Sequence, residues 1–77
     1  MWEKDLLALK KRLSVNIKAI RKSKGIAQER LGLEAGVDRT LISKIEREIA
    51  NPSLEVLTKI ACHLEVGVVD LLKAPKK

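Results

Sequence analysis

The chain has 77 residues, which is room for one domain near the lower size at which a chain folds alone. Trp2 is the only aromatic residue, and this composition favours small packed helices over a sheet. The formal net charge of +6 favours a polyanionic partner, and the single cysteine excludes an internal disulfide. No apolar run is long enough to span a bilayer and no signal peptide begins the chain, so we expect a cytoplasmic protein with no membrane partner.

The first predicted element is a long helix from about Asp5 to Lys24. Its apolar residues recur in steps of three and four, which is typical of one helix face, and Asp5 and Gly25 stand where a cap and a terminating glycine belong. Alternatively, Ser14 caps a shorter helix. We favour one helix, with residues 1–12 as a helical N-terminal extension. The basic residues opposite the apolar face are typical of a solvated surface and are weak evidence for a partner by themselves.

Two short helices follow, the first from residues 26–28 to about Ala35. Gly32 lies inside it at a cost of about 1 kcal/mol relative to alanine, which predicts that the next helix approaches closely there. Gly36 permits a left-handed turn, and Asp38 is expected to cap the next helix, whose inward residues include Ile42. Two short helices separated by such a glycine indicate a helix-turn-helix.

The C-terminal part predicts two more helices. Pro52 disfavours helical geometry at the residue before it, and Ser53 is expected to cap the fourth helix. Residues 65–67 form a turn, residues 68–73 a short fifth helix, and residues 74–77 a flexible tail. The fold expected for residues 1–77 is therefore a single all-α domain of five helices. The apolar face of the fourth helix is expected to contain Leu54, Leu57, Ile60, Ala61 and Leu64.

The helix-turn-helix spacing resembles that of a known family, the lambdoid phage repressor and Cro proteins. The segments Ile42-Ser43-Lys44-Ile45-Glu46-Arg47 and Asn51-Pro52-Ser53-Leu54 are similar to the wider XRE-type class of bacterial regulators. Asp38-Arg39-Thr40 followed by Ile42-Ser43 is especially similar to controller proteins of restriction–modification systems. The resemblance covers about residues 13–72 and implies a lambda-repressor-like DNA-binding domain of bacterial or phage type. The residues that carry the family spacing are Gln28, Leu31, Gly32, Gly36, Val37, Ile42 and Ile45.

The third helix would then be the recognition helix, whose first turns face base edges in the major groove. Arg39 can donate to both acceptors of guanine, and Thr40 can contact a thymine methyl group or donate to a base. Ser43 lies one turn further along the same face, and Lys44 beside it reaches a base or a phosphate. The alternative for Arg39 is a phosphate contact, or an ion pair with Asp38.

Four residues around the recognition helix are expected to contact phosphates. The resemblance implies such a contact for Gln28 at the start of the second helix. Arg47, Asn51 and Ser53 would hold the DNA backbone on the other side, although Asn51 and Ser53 also suit a turn and a cap. Glu48 stands where relatives often have glycine, and its negative charge argues against a phosphate contact by this loop.

Two further sets of residues are expected to be structural. The resemblance implies a partly buried ion pair between Arg21 and Glu46, with no contact to DNA. The last helix is more apolar than an exposed terminal segment needs, and the resemblance implies a two-fold homodimer whose recognition helices lie about 34 Å apart. The alternative is that these residues only close the core of the monomer. The expected dimer residues are Val66, Val68, Val69 and Leu72.

The leading functional hypothesis is a homodimeric, sequence-specific transcription regulator that binds a pseudo-palindromic operator, and a restriction–modification controller in particular. Activation would need a surface facing RNA polymerase, for which Glu29 and Glu34 are candidates. The alternatives are an antitoxin that represses its own operon, and a helix-turn-helix interaction module that does not read DNA. An enzyme is rejected because His63, the only histidine, has no partner at catalytic or metal-binding spacing, so no cofactor or metal is expected.

Overall fold

The computed structural model describes residues 1–75, and within that range it is all-helical, which confirms the predicted fold class. Ala74 and Pro75 of the predicted tail follow the last helix, and residues 76–77 lie outside the described part of the chain. The helices are α1 (Trp2–Ser23), α2 (Gln28–Ala35), α3 (Arg39–Glu46), α4 (Leu54–Leu64) and α5 (Val68–Leu72).

Helix α1 is continuous through the predicted N-terminal extension, so the alternative of a shorter helix capped by Ser14 is wrong. Ser14 is buried instead, and its hydroxyl donates to the backbone oxygen of Glu46 at 2.6 Å. The predicted cap at Asp5 is also wrong, because the helix begins at Trp2 and places Asp5 in its first turn. A carboxylate there still interacts favourably with the positive end of the helix dipole. Gly25 follows the C-terminus with a φ of +67°, as expected.

One aliphatic core joins all five helices, and it is built from the apolar face of each helix. Seven large side chains in it are less than 2% exposed: Ile17, Leu31, Ile42, Ile45, Ile60, Leu64 and Leu71.

The prediction that Leu54 belongs to the apolar face of α4 is wrong. This residue is 75% exposed, whereas Leu57 and Ile60 are buried. It is the first residue of α4. Helical side chains lean toward the N-terminus of their helix, so Leu54 points back beyond the end of the core.

Helix α5 has only five residues and is held in place by α1. A helix of this length is not stable alone. The side-chain amide of Asn16 donates to the backbone oxygens of Leu71 and Lys73, at 3.0 and 2.8 Å. These bonds satisfy carbonyl groups at the C-terminal end of α5, and they couple the orientation of α5 to α1.

Candidate nucleic-acid interface

The turn between α2 and α3 depends on two glycines. Gly36 has a φ of +69° and ends α2 in the left-handed conformation. A Cβ atom on Gly32 would lie 2.6 Å from the backbone oxygen of Val37 and 3.2 Å from the backbone nitrogen of Arg39. The close approach predicted at Gly32 is therefore confirmed, and it packs the start of α3 directly against the backbone of α2.

Asp38 caps α3, as predicted. Its carboxylate accepts a hydrogen bond from the backbone N–H of Thr40 at 2.8 Å. The alternative in which Arg39 pairs with Asp38 is not what the structure shows, because the guanidinium of Arg39 pairs with Glu29 of α2. The cap leaves the first turn of α3 well formed and its outward side chains in solvent.

Four of the predicted DNA-contacting residues line one open cleft between the starts of α2 and α3. The cleft has a volume of about 230 Å³ and is lined by Gln28, Arg39, Thr40 and Ser43. Arg39 and Thr40 are exposed, whereas Ser43 is half-buried. Lys44 is also exposed on α3, but it does not line the cleft. The cleft thus presents a cation, two hydroxyl groups and an amide, which together can donate to and accept from base edges.

A network of hydrogen bonds behind the cleft joins α1, α2 and α3. Arg21 donates to both carboxylate oxygens of Glu46, with distances of 2.7 Å from Nε and 2.9 Å from Nη2. The amide of Gln28 donates to Glu46 at 3.0 Å, and Arg21 donates to the backbone oxygen of Ile26 at 2.9 Å. Gln28 is consequently oriented by the protein, and its amide keeps one N–H and its oxygen for a ligand.

The charges in this network shift the pKa of both ionisable partners. Burial raises the pKa of Glu46, but hydrogen bonds from Arg21 and Gln28 outweigh it, and the pKa of the carboxyl lies below its ordinary value. The hydrogen bond to Glu46 raises the pKa of the Arg21 guanidinium. Glu46 is therefore a buried carboxylate that stays ionised because it is paired.

The other predicted phosphate contacts lie in the segment between α3 and α4. Arg47, Asn51 and Ser53 are all exposed. Ser53 caps α4, since its hydroxyl accepts from the backbone N–H of Val56 at 3.1 Å. Glu48 takes the left-handed conformation, with a φ of +66°, at the end of α3. A glycine would adopt that conformation without strain.

The predicted dimer residues divide into two groups. Val66, Val68 and Leu72 are half-buried and pack against the core of this chain. Val69 is 77% exposed on α5. The monomer therefore uses part of this apolar set and leaves Val69 in solvent.

Three polar residues make contacts between helices that the sequence does not predict. Ser14 and Asn16 interrupt the apolar face of α1 beside Leu13 and Ile17, and a polar residue at a core-facing position is a usable signal for a buried hydrogen bond. The sequence predicts only a polymerase contact for Glu29, although its place one turn before Gly32 puts it on the face of α2 that meets α3.

Neither a membrane span nor a metal site is found in the described part of the chain. No helix in residues 1–75 is both long and apolar enough to cross a bilayer. Over the same residues, no group of three histidine, cysteine or acidic side chains could hold a metal ion. His63 is exposed, and its Nδ1 atom lies 3.1 Å from the backbone oxygen of Lys59 in the preceding turn of α4.

The fold and the α2–α3 turn define a helix-turn-helix protein of the class that binds DNA, and the sequence matches the helix-turn-helix family HTH_3 over residues 17–71. The chain belongs to this family. A hypothetical transcription factor from Neisseria meningitidis serogroup B is 37% identical over 75 residues, which are 97% of this chain and 68% of that protein. The transcriptional regulator SinR of Bacillus subtilis is 42% identical over 57 residues, and these span 73% of this chain but about half (51%) of SinR.

Solved structures of helix-turn-helix proteins also resemble this chain. The crystal structure of a hypothetical transcription factor from Neisseria has a TM-score of 0.86 at 36% identity, covering 91% of this chain and 79% of that chain. The N-terminal DNA-binding domain of SinR has a TM-score of 0.78 at 36% identity, with 84% and 96% coverage. The restriction–modification controller protein C.AhdI of Aeromonas hydrophila has a TM-score of 0.72 at 32% identity, with 88% and 97% coverage. The predicted family is confirmed by these likenesses.

Proposed function

We propose that the protein is a sequence-specific transcription regulator that binds a pseudo-palindromic operator as a homodimer. The observation that carries this proposal is the cleft at the start of α3, where exposed Arg39 and Thr40 stand beside Ser43 and Gln28. A family of transcription regulators and a basic chain of net charge +6 support a double-stranded DNA partner. Such a protein acts in the cytoplasm and needs no catalytic step.

Within this function the residues divide into base-reading and phosphate-binding groups. Arg39 donates to guanine, while Thr40, Ser43 and Lys44 contact neighbouring base edges or thymine methyl groups. Phosphate contacts set affinity and its salt dependence but do not select sequence. The phosphate-binding group is Gln28, Arg47, Asn51 and Ser53.

We further propose a role as a controller of a restriction–modification system. The likeness to C.AhdI, 97% of which this chain covers, and the segment Asp38-Arg39-Thr40 support it. A controller that activates would contact RNA polymerase through an acidic surface. Glu34 on α2 is the better candidate, because its ion pair with Arg30 lies away from the cleft, whereas Glu29 pairs with the proposed base-reading Arg39.

Binding-site selection from random duplexes at about 0.15 M salt tests the proposal, with Arg39→Ala as the variant. The wild type should select one short pseudo-palindrome. Arg39→Ala should lose discrimination at one base pair of each half-site by about 1–3 kcal/mol and keep it elsewhere. Lys11→Ala, an exposed change on α1, serves as the control and should select the same sequence. An equal loss of affinity for all sequences in Arg39→Ala would show a phosphate contact and contradict base reading.

The dimer is tested separately by sedimentation equilibrium. Val69 is 77% exposed, so Val69→Glu leaves the fold intact and places a charge in the proposed interface. We expect the wild type to dimerise and Val69→Glu to be monomeric with weak operator binding. Leu33→Glu, at a similarly exposed position (81%) on α2, should remain dimeric. A wild-type protein that is monomeric at high micromolar concentration, with and without operator, contradicts the dimer.

A further inference from the structure

Glu29 of α2 and Arg39 of α3 form an ion pair beside the DNA-facing cleft. The distance from Arg39 Nη1 to Glu29 Oε2 is 3.4 Å, and the two side chains are 65% and 74% exposed. A pair this exposed contributes little to the stability of the fold. The pair nevertheless matters for a DNA-binding surface, because Glu29 places a negative charge next to the residue proposed to read a base.

Packed backbone brings these two residues close together. Glu29 lies one helical turn before Gly32, on the same face of α2. A Cβ atom at Gly32 would be 3.2 Å from the backbone nitrogen of Arg39, so the two helices are in direct contact at this point. The hydrogen bond from the backbone N–H of Val37 to the oxygen of Gly32, at 2.8 Å, further fixes the turn that leads into α3. The carboxylate therefore meets the guanidinium across a rigid junction.

The chemistry of the pair favours bases over phosphates as ligands for Arg39. Guanidinium has five N–H donors, and Glu29 accepts from Nη1 alone, which leaves donors for the N7 and O6 atoms of guanine. The negative charge of Glu29 repels a phosphate and offsets part of the attraction of Arg39 for one. Base edges carry no net charge, so the carboxylate of Glu29 weakens their hydrogen bonds to Arg39 much less than it weakens a phosphate contact.

We propose that Glu29 is a specificity-determining residue, which positions Arg39 for base readout and lowers the affinity of the protein for DNA of other sequences. The inference rests on the proposed function, in which Arg39 reads a base. It predicts that removal of the carboxylate releases Arg39 to a phosphate and so strengthens nonspecific binding.

Helix α2 supplies a matched control. Glu34 also pairs with an arginine, at 2.9 Å between Arg30 Nε and Glu34 Oε2. Neither residue of that pair lines the cleft. Glu29→Gln and Glu34→Gln therefore remove the same charge from the same helix, and they differ in whether a base-reading residue loses its partner.

The test measures binding of the full chain to the selected operator duplex and to a scrambled duplex of equal length, at several salt concentrations. Glu29→Gln should bind the scrambled duplex more tightly and lower the ratio of the two affinities by about tenfold. Its salt slope on the scrambled duplex should steepen by about 0.9 per protomer, since Arg39 gains one phosphate contact. Glu34→Gln should leave the affinity ratio at the wild-type value.

A double-mutant comparison decides whether Glu29 acts through Arg39. In an Arg39→Ala background, Glu29→Gln should have no further effect on the affinity ratio. An unchanged ratio in Glu29→Gln alone, or an equal fall in the Arg39→Ala background, overturns the role of Glu29 and leaves the proposed function standing. If the wild-type protein binds the operator and the scrambled duplex equally, both the role of Glu29 and the proposed function are overturned.

Discussion

Arg21 and Glu46, 25 residues apart in the sequence, form a two-point ion pair that joins α1 to the end of α3. The side chains are only 12% and 2% exposed, so this pair is sheltered from solvent, unlike the pair of Arg30 with Glu34. Glu46 also accepts from Gln28, and its backbone oxygen accepts from Ser14. Helix α3 is thereby held to α1 and α2 by polar bonds as well as by its buried isoleucines.

Glu46→Ala should lower the free energy of unfolding by about 3 kcal/mol or more, because it leaves the guanidinium of Arg21 with no carboxylate partner in a mostly buried site. Urea denaturation followed by circular dichroism measures this change. Glu34→Ala, which removes the acidic partner of an exposed pair, should cost less than about 1 kcal/mol and is the control. Unchanged thermal stability in Glu46→Ala would show that the pair is dispensable.

Stability should fall at acid pH because of Glu46. Burial raises the pKa of this carboxyl, but the hydrogen bonds from Arg21 and Gln28 outweigh it and leave the pKa below the ordinary value of 4.5. A depressed pKa in the folded state stabilises the fold fully above the unfolded pKa, and this contribution is lost as the pH falls through the folded pKa.

Urea denaturation of the wild type and of Glu46→Gln, from neutral to acid pH, isolates this contribution. The difference in unfolding free energy between the two proteins should shrink as the pH falls below 4.5. The pKa of Asp70 is also lowered, by hydrogen bonds from the Gly67 backbone and Lys73. Both proteins contain Asp70, so its contribution to the pH dependence cancels in the difference between them. A constant difference at all pH values would contradict the assignment to Glu46.

Gly32→Ala should destabilise the protein although alanine is the better helix former. The new Cβ atom would lie 2.6 Å from the backbone oxygen of Val37, and backbone atoms cannot move aside cheaply. The expected loss of unfolding free energy is about 1–3 kcal/mol, measured by thermal denaturation. Leu33→Ala, at the next and 81% exposed position of α2, should change stability by less than about 0.5 kcal/mol. A more stable Gly32→Ala variant would mean that α2 and α3 are further apart than described.

Glu48→Gly should stabilise the protein by about 1 kcal/mol. Glu48 has a φ of +66°, a conformation that costs a non-glycine residue about 1–2 kcal/mol, whereas the greater chain entropy of unfolded glycine offsets part of the gain. Thermal denaturation measures the effect. Glu55→Gly in the first turn of α4 is the opposite control and should destabilise. A lower melting temperature in Glu48→Gly would show that the side chain of Glu48 has a stabilising contact.

Much of the fold could be predicted because it depends on local signals. The helical period of the aliphatic residues, the caps at Asp38 and Ser53, and the glycines that end α1 and α2 all act within a few residues of where they stand. The same signals place Arg39 and Thr40 on the first turn of α3. The errors at Asp5 and Leu54 both lie at helix ends, where a cap or the edge of the core decides the outcome and periodicity does not.

The helices, the turn and the residues that α3 presents to solvent follow from the sequence alone. Which side chains meet across helices depends on how the helices pack: Arg39 meets Glu29, Gln28 meets Glu46, and Asn16 meets the end of α5. Helix period and capping are properties of neighbouring residues, so one sequence window contains them. Ion pairs and buried hydrogen bonds between helices depend on crossing distances, and between α2 and α3 that distance is set by Gly32, whose missing side chain lets two backbones touch.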